Sequence, residues 1–146
     1  MAALLAQLVS VGTENPPGRN YRECADLLER TCRNAGLACE RHEFPASAAT
    51  PDTANESAPS LTATFGNGNR ALYFHGHYDV VPAQSAEQFQ PGRKEHFVFG
   101  RGACDMKGGI VSMFYAIRVP HNAAGWFGHE HADSVAPEQP LRGEPG

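Results

Sequence analysis

The stretch Phe74-His75-Gly76-His77-Tyr78-Asp79-Val80-Val81-Pro82 continues an apolar run that reads as a buried strand, yet it carries two imidazoles and a carboxylate at alternate positions. If the strand persists through it, His75, His77 and Asp79 project to one side. Neutral imidazole is the commonest transition-metal ligand, and a carboxylate two residues on can share the ion or hold the ring. The plainer alternative is a satisfied core histidine followed by an aspartate that caps the turn into Val80-Val81-Pro82.

Bulk properties bound the alternatives. The chain has 146 residues, 41% of them hydrophobic and 19% charged, with a formal net charge of −4. That is enough chain for one domain with a real core. The mild acidity leaves no basic stripe for nucleic acid and no polybasic patch for a membrane surface. The opening "MAALLAQLVSVG" has no basic leader and reads as an amphipathic helix rather than a signal peptide. Cys24, Cys32, Cys39 and Cys104 show no C-x-x-C spacing, which predicts free, mostly buried thiols in a reducing cytoplasm.

Working outward, residues 2–10 read as a helix, and "TENPPG" (13–18) breaks it. From Tyr21 to Ala35 apolar positions recur at intervals of three and four, and Gly36 stands where a left-handed terminator belongs. "LACERHEF" (37–44) alternates as a strand. Residues 45–60 are rich in Ala, Ser, Pro and Thr and predict an exposed loop. "LTATF" and "RALYF" flank "GNGN", which predicts a β-hairpin running into the opening stretch. After a polar loop (83–95), residues 96–118 give a short strand, a glycine-rich turn and a helix apolar nearly all round, which predicts deep burial. The fold class expected is α/β, an incomplete sheet flanked by helices. Residues 119–146 hold four prolines and four glycines in 28 positions and lack either period, so they are expected to form an unstructured tail beyond a unit at 1–118.

The second polar constellation is "GRGACDMKGG" (100–109), with Asp105 at the start of the apolar helix. Its glycines permit close backbone approach. Taken alone, Asp105 reads equally as an ordinary helix N-cap.

Together, "GHYDVVP" and "GRGACDMKGG", with "NPPG" upstream, resemble the co-catalytic zinc peptidase and deacylase family, which includes acetylornithine deacetylase, succinyl-diaminopimelate desuccinylase, aminoacylase and the glutamate carboxypeptidases. The resemblance spans about residues 4–118. It implies that His77 is a metal ligand, that Asp79 is the catalytic carboxylate orienting it, and that Asp105 bridges two zinc ions, with cobalt an alternative metal. His75 has no ligand counterpart, and Arg101 and Lys107 are given no role beyond structure. The activity implied is amide hydrolysis of a small N-acyl amino acid or peptide by zinc-activated water.

The family's Glu-Glu pair, which supplies a general base and a ligand, does not occur in this sequence. Its lid or dimerisation domain is likewise not recognisable. "GHEHADS", carrying His129, Glu130, His131 and Asp133, has no periodic scaffold to hold replacement ligands. The expectation is therefore a truncated amide hydrolase, inactive alone and without an organic cofactor. Two alternatives are a non-catalytic metal-binding or interaction fragment, and a chain that needs a partner bearing the other ligands.

Overall fold

The computed structural model describes residues 1–45 and 57–122. Three helices, α1 (Ala2–Ser10), α2 (Tyr21–Asn34) and α3 (Gly108–Asn122), accompany two small antiparallel sheets. One sheet pairs β1 (Ala38–Pro45) with β2 (Ser57–Thr64), and the other pairs β3 (Gly92–Lys94) with β4 (Phe97–Phe99). This is a mixed α/β fold with open sheets flanked by helices. None of the helices described is long and apolar enough to cross a membrane.

The helices form where the apolar spacing places them. In α1, Leu4 and Leu8 face the same way as Cys24 of α2 and Val111 and Phe114 of α3, and with Val11 they make one buried cluster. Burying a side chain of this kind contributes roughly 1.5–3 kcal/mol, so these contacts dominate the cohesion of the three helices. Gly36, at φ 84°, ends α2 in the left-handed turn that its sequence position predicts. The turn returns the chain to β1, and Arg41 then bonds Asp26 of α2 and pairs at 3.5 Å with Glu29.

A buried cation joins α1 to the start of α3. Lys107 is wholly buried, and its ammonium donates to the carbonyls of Leu8 at 2.9 Å and Val11 at 2.7 Å. Those carbonyls are the negative end of α1, where a cation is most stabilised. Burial pulls the Lys107 pKa below its ordinary value, a cost the two charge-assisted bonds offset.

Several sequence expectations are corrected. No hairpin joins "LTATF" to "RALYF": β2 pairs instead with β1, in a register that sets Ala38 opposite Thr64 and Pro45 opposite Ser57. Accordingly β2 begins at Ser57, inside the segment expected to be a loop, because backbone pairing with β1 outweighs its weak composition. Residues 70–74 have no ladder partner among the described residues, and Leu72 and Tyr73 are 81% and 88% exposed. The polar loop also contains β3, paired to Phe97–Phe99. Among the side chains of α3 described through Ile117, Val111 and Phe114 are buried while Ser112 and Ala116 are exposed, so one face rather than the whole circumference is covered. The backbone of α3 continues to Asn122, past the boundary expected at 118. The remainder of the expected tail, with His129, Glu130, His131 and Asp133, lies outside the described residues.

Lys107→Ala is expected to lower unfolding free energy by about 2–4 kcal/mol in urea titrations, through a cavity and two lost bonds. Lys107→Met, which keeps most of the volume, should cost less. Equal stability of Lys107→Ala and the parent chain would show that α1 is not held this way.

Candidate metal half-site

Hydrogen bonds to the "TENPPG" segment and two confined glycines position the two polar motifs. The amide of Val80 donates to the Thr13 carbonyl at 2.8 Å, and the amide of Asn15 donates to the Val80 carbonyl at 2.8 Å, strapping "TENPPG" alongside "YDVVP". The Thr13 hydroxyl adds a bond to the Tyr78 carbonyl, and a Glu14 carboxylate oxygen accepts from the Ala83 amide at 2.8 Å. Gly102, at φ 78°, brings the second motif against the first, since a Cβ there would stand 2.4 Å from Val80 Cγ1. Gly76 is equally confined, because its missing Cβ would lie 2.9 Å from the Met113 methyl of α3.

These contacts bring His77, Asp79 and Asp105 together. His77 Nδ1 lies 3.0 Å from Asp79 Oδ1, and its Nε2 lies 3.2 Å from Asp105 Oδ1. The imidazole thus has one carboxylate behind it and another before it, which is the orientation a metal-ligating histidine needs. The three side chains line a cleft of about 430 Å³ with Asn15, Arg101 and Cys104. Asp105 is the most open of them, its side chain 89% exposed. Its backbone, at φ −118° and ψ 101°, is not helical, and α3 starts three residues later at Gly108. The helix-capping alternative therefore does not account for Asp105; the histidine contact does.

Burial opposes charge on His77, but the Asp79 carbonyl and carboxylate and the Asp105 carboxylate outweigh it, so its pKa lies above the ordinary 6.5. A raised imidazole pKa contributes stability that is complete below the unfolded value and is lost as pH rises through the folded one.

His75 is exposed and lines a second, apolar cleft of about 400 Å³ with Ile110 and Met113. It is not one of the side chains around Asp105. Arg101 bonds the Gln88 side chain at 3.0 Å, anchoring the wall of the first cleft. Of the four thiols only Cys24 is buried; Cys32 and Cys39 are half-buried and Cys104 is exposed, against the expectation of mostly buried thiols.

One participant is not visible in sequence reasoning. Asn15 Nδ2 donates to Asp79 Oδ2 at 3.1 Å, fixing the carboxylate oxygen that His77 leaves free. The "NPPG" break marks its neighbourhood, but nothing local indicates a partner 64 residues away.

Residues 73–125, spanning both motifs, match the family described as "Peptidase family M20/M25/M40". The match is to the M20 peptidases. The chain is also 38% identical over 99 residues to the succinyl-diaminopimelate desuccinylase of Methylobacterium radiotolerans, covering 65% of this chain and 24% of the relative. The corresponding protein of Methylorubrum populi is 41% identical over 95 residues, 62% of this chain and 23% of the relative. An N-formyl-4-amino-5-aminomethyl-2-methylpyrimidine deformylase of Halalkalibacterium halodurans is 27% identical over 126 residues, 83% of this chain and 28% of the relative. The chain spans about a quarter of the length of these curated relatives. At family level the resemblance carried by "GHYDVVP" and "GRGACDMKGG" is borne out.

In chelator-treated protein, the His77 imidazole should titrate above 6.5 by NMR. Asp79→Asn should bring that value down, and Asn15→Ala should move it in the same direction by releasing Asp79. A His77 titration insensitive to Asp79→Asn would show that the carboxylate does not hold the ring.

Proposed function

We propose that this chain carries part of the metal site of an amide hydrolase, with His77 and Asp105 as zinc ligands and Asp79 as the residue that positions His77. The observation that supports this is the convergence of His77 Nε2 and Asp105 Oδ1 with Asp79 on the opposite ring nitrogen. Asn15 holds Asp79 in turn. When bound, zinc supplies Lewis-acid polarisation of an amide carbonyl.

The donor types suit zinc, but the count stops short. Among the described residues no group of three or more His, Cys, Asp or Glu side chains could hold a metal. A catalytic zinc usually takes three protein ligands with one position open, so two donors make a half-site. The reading is thus an amide-hydrolase portion that binds zinc weakly and turns over no substrate by itself. The reaction class proposed for the complete site is removal of a small acyl group from nitrogen, since the relatives are named for desuccinylation and deformylation. The second reading, a non-catalytic metal-binding fragment, rests on the same count of two donors.

Zinc content and hydrolysis of N-succinyl and N-formyl amines, measured on purified chain, test this directly. Expected are substoichiometric zinc after gel filtration, further loss of zinc in His77→Ala and Asp105→Ala, and no turnover. Two tightly held zinc ions per chain with sustained hydrolysis would overturn the half-site reading.

A further inference from the structure

Two thiols outside the half-site are neighbours in space. Cys32 lies in the last turn of α2 and Cys39 near the start of β1, joined by the tight turn at Gly36. The amide of Leu37 donates to the Cys32 carbonyl at 3.1 Å, which folds the connection back on the helix end. Cys39 Sγ then lies 4.0 Å from the Glu29 carbonyl of α2. A helical side chain covers the turn N-terminal to its own Cα, so the Cys32 side chain occupies the region of that same carbonyl. In agreement, each thiol shifts the titration of the other, as neighbouring sulfurs do. Cys39 stands opposite Ala63 in the β1–β2 ladder, and Ala63 and Cys32 line the same cleft. Both cysteines are half-buried rather than sealed in the core, as Cys24 is.

We infer that Cys32 and Cys39 are a redox-modification site: they form a reversible disulfide that staples the end of α2 to β1, by exchange with a small disulfide such as oxidised glutathione. The Cys39 thiolate attacks one glutathione sulfur, forming a mixed disulfide and releasing one glutathione thiolate. The Cys32 thiolate then attacks Cys39 Sγ, closing the intramolecular bond and releasing the second glutathione. The protein loses two electrons and two protons, and one glutathione disulfide becomes two glutathione thiols.

The order of attack follows the surroundings. Burial pushes Cys32 up to about 11, with Cys39 adding to the shift. Burial also raises Cys39, but the Arg33 guanidinium pulls it back and the Cys32 thiol favours its thiolate, with Glu29 opposing. Cys39 is therefore the better nucleophile and Cys32 the resolving thiol, and exchange is slow at neutral pH because both thiols are largely protonated.

The full chain, equilibrated in glutathione redox buffers, quenched by alkylation and digested with trypsin, tests this. Cleavage after Arg33 separates the two cysteines, so the disulfide appears as Thr31–Arg33 linked to Asn34–Arg41. The eight-residue loop could close in an unfolded chain, so the deciding quantity is the equilibrium constant in native buffer against that in guanidinium chloride. It should be at least about tenfold larger in native buffer, since folding and the disulfide then favour each other. Cys32→Ser should stop the reaction at a mixed disulfide on Cys39. Equal constants in the two solvents, accumulation of the mixed disulfide in the parent chain, or pairing of either thiol with Cys104 would overturn the assignment.

Discussion

The Lys107 ammonium, held by the carbonyls of Leu8 and Val11, is the contact on which the arrangement of the two motifs depends. A charge this deeply buried is costly unless every donor finds an acceptor, and the open end of a helix is where unpaired carbonyls are concentrated. The bond ties α1 to the turn that carries Asp105, two residues earlier. It also leaves Val11 and Thr13 placed to meet the segment after His77, through the bonds from Thr13 and Asn15 to Tyr78 and Val80. The His77–Asp79–Asp105 cluster is thus assembled on a scaffold whose anchor lies in the core, away from the cleft.

That scaffold gives the polar side chains distinct tasks. Asp105 is open to solvent, with its carboxylate directed at His77. Asp79 is engaged on both sides, by Asn15 and by His77, which suits a group meant to orient. The chain Asn15–Asp79–His77 is a relay of position: each member restricts the next, so the direction of the imidazole is held from behind.

Much of the fold was legible locally. The three helices, the glycine that ends α2 and the first strand follow from periods of 3.6 and 2 and from breakers at Pro16, Pro17, Gly18 and Gly36. The expected hairpin failed for a physical reason. "GNGN" allows a turn, but a turn signal cannot choose a strand's partner, and β2 found a longer ladder with β1. The helix expected to be buried all round exposed a side because hydrophobicity measures the wish for burial, while the neighbours present determine how much is covered.

The sequence by itself determined where helices start and stop, that His77, Asp79 and Asp105 are the residues to watch, and which family they resemble. Those properties depend on residue type and on neighbours a few positions away. Only the tertiary structure decided that His77 meets Asp105 across 28 residues, that Asn15 reaches Asp79 across 64, and that Lys107 closes α1 across 99. Contacts at such separations leave no periodic trace in the chain. They exist because buried polar groups must find partners wherever packing places them.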